Sequence, residues 1–160
     1  MHRKLSAGLL LYRRGNHDEE IVLEVLLGHM GGPFWARKDD GAWSIPKGEY
    51  APGQDPFAAA KREFTEEMGS APPRCEYHPL GDIRQPGGKL VTIWAAEADF
   101  DAAAAVSNTF EIEWPRFSGR IQSFPEIDRA GWFTPDVAKV KLVKGQRPFV
   151  DRLREMFATP

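Results

Sequence analysis

Glu63, Glu66 and Glu67 fall close together in the run Arg62-Glu63-Phe64-Thr65-Glu66-Glu67. On an α-helix each residue turns by about 100°, so the three carboxylates share an arc of roughly 100°. Phe57, Ala60, Phe64 and Met68 fall on the neighbouring arc as an apolar stripe. Like charges at these spacings repel by roughly 0.2–0.5 kcal/mol per pair, which a solvated acidic face tolerates. The other reading is a site for a hard cation. Magnesium takes oxygen ligands, commonly a few carboxylates with waters and substrate phosphates.

The elements that must hold these residues are legible in part. A helix is expected from Pro56 to Met68, with Asp55 as N-cap, Pro56 in the first turn, Gly69 as C-cap and Pro72-Pro73 barring continuation. Ser6 to Arg13 and Ile21 to Leu27 read as strands joined through the turn chemistry of Arg14 to Asp18. Trp43 to Pro46 reads as a short strand. Leu80 to Arg84 and Lys89 to Ala98 read as a hairpin about Pro86-Gly87-Gly88. Thr109 to Trp114 alternates like a strand, and Gly131 to Phe133 is another. The piece Asp101 to Val106 reads as a loop or short helical turn. Pro135 to Val143 and Gln146 to Phe157 read as helices, the second with Phe149, Val150, Leu153, Met156 and Phe157 on one face. This mixture predicts an α+β sandwich.

The flanks of the acidic run choose between the two readings. Gly48, Gln54, Arg62-Glu63-Phe64, Glu66-Glu67 and Gly69-Ser70 resemble the Nudix box, Gly-x5-Glu-x7-Arg-Glu-U-x-Glu-Glu-x-Gly-U, where U is a bulky apolar residue. Seven of nine defined positions match, and residue frequencies put a coincidence on the order of 10⁻⁴. Gln54 replaces the first Glu and Ser70 the last apolar residue. The resemblance extends to Trp43-Ser44-Ile45-Pro46-Lys47-Gly48 before the box and to Trp132-Phe133-Thr134-Pro135 near the end.

The resemblance implies an α/β/α sandwich around a mixed β-sheet, as one Nudix domain over residues 1–160. It implies a hydrolase that cleaves a phosphoanhydride in a nucleoside diphosphate linked to another group, such as a nucleoside triphosphate or dinucleoside polyphosphate. The alternative is a non-catalytic nucleotide-binding sensor of the same fold. By resemblance, Glu63, Glu66 and Glu67 bind Mg2+, with Mn2+ left open, and the carbonyl of Gly48 completes the set. Glu63 and Glu66 are the catalytic candidates, Glu63 for orienting or deprotonating water. Arg62 and Gln54 are expected to brace the loop by a hydrogen bond to each other, without the charge assistance a Glu would give; Asp55 or Glu49 offers a substitute. Glu126 is the first candidate for an added acidic ligand, with Glu111 and Glu113 as rivals.

Lys47 can reach an extra phosphate, as in the Pro-Lys-Gly variant that resembles dinucleoside polyphosphate hydrolases. Phe34, Trp35 and Trp114 can stack a base, a contact worth about 1–3 kcal/mol, or else belong to the core. Lys139, Lys141, Lys144 and Arg147 form a basic cluster that can meet a long polyphosphate or simply face water. The expected partner is thus a small nucleotide or polyphosphate; a homodimer is left open.

Composition bounds the rest. A chain of 160 residues with 42% hydrophobic and 28% charged residues suits a folded domain rather than a disordered one. Twenty-one basic against 23 acidic residues give a net charge of −2, which argues against unspecific nucleic-acid binding. No apolar run approaches membrane-spanning length, and the stretch after the basic Met1 to Lys4 is too short for a secretory signal. The lone Cys75 forms no internal disulfide, so a cytoplasmic protein is expected.

Overall fold

The computed structural model describes residues 4–17 and 20–158, with only the backbone given at 16, 17, 20, 21 and 158. Met1 to Arg3 and Asp18 lie outside the described residues. A seven-stranded mixed sheet is built on β1 (Leu5–His17) and β2 (Glu20–Met30), paired antiparallel from Tyr12↔Val25 to His17↔Glu20. The ladder therefore runs through Arg14 to His17, which the sequence reading assigned to a turn. Among the described residues around Gly15 the two strands pair only with each other, as a ribbon continuing the register set where β6 and β9 flank them.

Beside them lie β3 (Trp43–Ser44), β4 (Lys47–Tyr50), β5 (His78–Arg84) and β6 (Leu90–Glu97). β6 runs parallel to β1, while β4 pairs antiparallel with its first residues, Leu5 to Gly8. β5 and β6 form the expected hairpin around Pro86-Gly87-Gly88. β7 (Thr109–Glu113) and β8 (Ile121–Pro125) form a separate two-stranded sheet, and β9 (Ile127–Phe133) returns to pair with β2.

Alternation along β1 and β2 sorts the core into two layers. Ala7, Leu9, Leu11 and Leu26 pack beneath Ala60, Phe64 and Met68 of α1 (Pro56–Met68). Leu10, Tyr12, Val25 and Leu27 pack on the opposite side with Phe149, Val150 and Leu153 of α3 (Arg147–Ala158), joined by Ala138 of α2 (Pro135–Lys141). The fold is α+β, a mixed sheet between helical layers. Among the described residues no helix is long and apolar enough to cross a membrane.

α1 begins and ends as its sequence dictates. The Asp55 carboxylate accepts the Ala58 N–H at 3.0 Å. Gly69 closes the helix at φ 81°, its N–H on the Thr65 carbonyl at 2.9 Å. A methyl at Gly69 would also overlap the Val106 carbonyl, part of the loop that docks onto the helix end. Left-handed backbone alone costs an L-residue roughly 1–2 kcal/mol. Gly69→Ala should therefore lose about 2 kcal/mol or more and melt about 4–8 °C lower, read by thermal and urea unfolding.

Candidate metal-dependent active site

Three short connections bring the functional side chains to one place. The Pro46 carbonyl accepts the Leu9 N–H at 3.1 Å, and Lys47 and Gly48 pair with Gly8 and Ala7. This fixes β4 across the sheet, where the Lys47 N–H donates to Glu67 Oε1 at 3.3 Å. Gly48 lies so close to α1 that an added Cβ would overlap the Glu63 carboxylate. Arg62 ties the two elements from outside: its Nη2 donates to the Glu49 carbonyl and to Glu63 Oε1, both at 3.2 Å. Its Nε lies 4.0 Å from Glu66 Oε1.

Glu126 arrives by a backbone relay. The Asn108 N–H donates to the Glu66 carbonyl at 2.7 Å, so the loop before β7 satisfies an end carbonyl of α1. The Asn108 carbonyl in turn accepts the Glu126 N–H at 2.9 Å, and the Glu126 carbonyl accepts the Gly31 N–H at 2.9 Å. Glu126 thus stands beside the helix carboxylates although it is remote in sequence. Asn108 itself lines the site, and the sequence reading missed it. A polar residue just before a strand is common loop chemistry, and its docking on α1 exists only in the folded chain.

Together Lys47, Gly48, Glu49, Glu63, Glu66, Glu67, Asn108 and Glu126 line a cavity of 420 Å³. Within it the carboxylates differ in depth. The Glu66 side chain is 42% exposed, whereas that of Glu63 is 14% exposed. Burial, with the neighbouring Glu66 charge added, pushes the Glu63 carboxyl above its usual range, against the pull of Arg62. Glu67 is pushed up to about 8, chiefly by burial, and Lys47 only partly offsets this. Burial and repulsion from Lys89 hold the Lys47 ammonium below its usual range.

Such a set is under-neutralised. Among the described residues no three acidic, His or Cys side chains are drawn into a ready-made cation cage. The carboxylates outnumber the cations beside them: Arg62 meets Glu63, Lys47 lines the same cavity, and the Glu66 charge still bears on Glu63. Their oxygen-only chemistry fits a hard divalent cation, which would restore the charge that burial penalises. Glu63, Glu66, Glu67 and Glu126, with Gly48, are the residues that would hold it.

A smaller cavity of 260 Å³ adjoins at Glu126, lined also by Met30, Gly31, Trp35 and Phe110. Trp35 thus stands next to the acidic site, with Lys38 Nζ 5.3 Å from its ring centre. Trp114 does not line either cavity; it packs edge-on against Phe34 at 5.3 Å. Glu111 and Glu113 lie on β7, and Glu113 accepts the Phe117 N–H at 2.9 Å. Neither lines the acidic cavity.

The expected Gln54–Arg62 hydrogen bond is not formed. Gln54 Oε1 accepts the Ala51 N–H at 2.9 Å, closing its own turn, while Arg62 reaches the Glu49 carbonyl instead. Asp55 spends its carboxylate on the helix cap, and the Glu49 carboxylate pairs with Lys89 at 3.2 Å. Gln54→Glu should accordingly leave stability within about 0.5 kcal/mol and turnover nearly unchanged, as measured by melting and steady-state assay. Two members of the basic cluster are also occupied: Lys139 pairs with Asp151 at 2.8 Å and Lys141 with Asp39.

The NUDIX domain family model matches residues 2–153. The chain belongs to the Nudix family, and that membership supports hydrolase activity of the pyrophosphohydrolase kind. Solved structures agree in fold. A binary complex of a C. elegans Ap4A hydrolase is 20% identical with a TM-score of 0.63, covering 96% of this chain and 98% of that one. The NUDIX domain of Shewanella oneidensis NrtR complexed with ADP ribose is 17% identical with a TM-score of 0.63, covering 98% and 90%. RenU, a Nudix hydrolase from M. smegmatis, is 25% identical with a TM-score of 0.58, covering 98% and 87%.

Proposed function

We propose that the protein is a divalent-cation-dependent hydrolase that cleaves a phosphoanhydride in a nucleoside triphosphate or dinucleoside polyphosphate. The observation that carries this reading is the single cavity joining Gly48, three α1 carboxylates and Glu126, flanked by Lys47 on one side and by the Trp35 cavity on the other. When bound, Mg2+ supplies positive charge against the phosphate oxygens and acidifies water; Mn2+ has the same hard-oxygen chemistry.

The chain's own residues do the rest. Water oxygen bonds to one phosphorus, the bridging P–O bond breaks with its electron pair leaving on the departing phosphate, and one proton is released. Glu63, steadied by Arg62, orients that water or takes its proton, and Glu66 is the second carboxylate for this work. The Lys47 ammonium faces phosphate charge. Trp35 offers a flat apolar surface to a base.

The test is a screen of nucleoside triphosphates, dinucleoside polyphosphates, nucleotide sugars and diphosphoinositol phosphates with Mg2+, with products identified. Cleavage of a triphosphate or dinucleoside polyphosphate at an anhydride is expected. No turnover in any of these classes would overturn the reading.

A further inference from the structure

His29 lies on β2 with its side chain fully buried, and it lines neither the acidic nor the aromatic cavity. Both its ring nitrogens are engaged. A backbone carbonyl only accepts, so Nε2 carries a hydrogen and donates it to the Lys38 carbonyl at 2.7 Å. Nδ1 lies 2.8 Å from Asp128 Oδ1, and one proton between the two atoms closes that bond. Trp43 walls the ring edge-on at 5.3 Å, with the Arg129 guanidinium over the indole at 5.1 Å. Arg129 Nη1 also reaches Asp128 Oδ1 at 3.3 Å.

Each partner of His29 leads to the site. The β2–β9 register passes from His29↔Arg129 to Met30↔Ile127, which leaves Asp128 as the extra residue of a β-bulge. A bulge re-aims the side chains beyond it, and Glu126, which both cavities share, stands two residues further on. A one-residue slip there would turn Glu126 to the other face. The Ile127 N–H is held by the Ser107 hydroxyl at 3.0 Å and the Glu126 N–H by Asn108, while His29 holds the bulged residue itself. On the other side, the Lys38 N–H donates to the Trp35 carbonyl at 2.9 Å, so the Lys38 carbonyl that His29 meets belongs to the turn carrying Trp35.

We propose that His29 is a positioning residue: it fixes the bulge that aims Glu126 against the turn that presents Trp35. The proposal rests on the hydrolase reading and deepens it by a residue that acts only through others. Removing supporting partners of this kind typically costs about 10–100-fold in affinity or activity.

Three variants separate the two arms. Asp128→Ala removes one arm at a carboxylate that is partly exposed, so it spares the core. His29→Gln keeps a donor for Lys38 and drops Asp128, whereas His29→Asn does the opposite. Amide hydrogen exchange in EDTA, without substrate, reads the tie itself. Asp128→Ala and His29→Gln should exchange about tenfold faster over residues 121–128, and His29→Asn over residues 31–38, with β1 unchanged. With Mg2+ and a dinucleoside tetraphosphate, Asp128→Ala and His29→Gln should lose about tenfold in kcat with KM within about threefold. His29→Asn should raise KM about tenfold with kcat within about threefold. The double variant Asp128→Ala/His29→Gln should lose no more kcat than the worse single one, because both remove the same bond. If the His29 variants do not fold, Asp128→Ala decides. Unchanged exchange over residues 121–128 in Asp128→Ala, or an equal rise in β1, overturns the tie. Local loosening with unchanged kcat overturns the positioning role. Local loosening with a wild type that cleaves nothing in the substrate screen keeps the tie and rejects the hydrolase reading.

Discussion

Glu67→Gln is expected to cut turnover by about 10²–10³-fold without lowering the melting temperature. Glu67 lies deep in the acidic cavity, held by the Lys47 N–H, and makes no core contact that an amide would lose. Its stability signature is as telling as its activity. The folded carboxyl titrates near 8 against an ordinary 4.5, so the folded state binds its proton more tightly than the unfolded chain does. That raised value favours folding below about pH 4.5, and the advantage is lost as pH rises through the folded value. In EDTA the wild type should therefore melt progressively lower from about pH 4.5 to 8, and Glu67→Gln should flatten that window. Turnover of the variant within about threefold of wild type would remove Glu67 from the mechanism.

Gly48→Ala is the second large effect. The added methyl falls on the Glu63 carboxylate, so either β4 or Glu63 must move. Displacing a catalytic group by about 1 Å can cost 10²-fold, and overpacking costs roughly 1–3 kcal/mol. A drop in kcat of about that size, together with a lower melting point, is expected from steady-state kinetics and thermal unfolding. A variant as active and as stable as wild type would show that the close approach of Gly48 and Glu63 serves nothing.

How far the sequence reveals this follows from where each constraint lies. α1 is legible from Pro56 to Met68 because Asp55, Pro56 and Gly69 act locally. The acidic arc is legible because helical spacing is fixed. Glu126 is legible only as a candidate, since its delivery depends on the backbone relay through Asn108. Gln54 illustrates the converse: a side chain at a bracing position finds a nearer donor in Ala51, and Arg62 turns to a carbonyl. The first hairpin runs longer than its turn-rich composition suggests, because ladder pairing outweighs local preference at Arg14 and Gly15. Four cations line a larger cavity that shares Lys47 with the acidic one. Arg84 and Lys89 meet in the β5–β6 hairpin that the sequence predicts, whereas Lys4 and Lys47 join them only through the β1–β6 and β1–β4 pairings, which act across the sheet and leave no local signal.

The central claim is that the Gly48, Glu63, Glu66, Glu67 and Glu126 cavity hydrolyses a phosphoanhydride with the help of a divalent cation. Phosphorus NMR of a dinucleoside tetraphosphate during a Mg2+ titration tests it most directly. Cleavage should be absent in EDTA, rise to saturation with Mg2+, and be almost abolished in Glu67→Gln at every concentration. Cleavage that proceeds equally in EDTA would contradict the account.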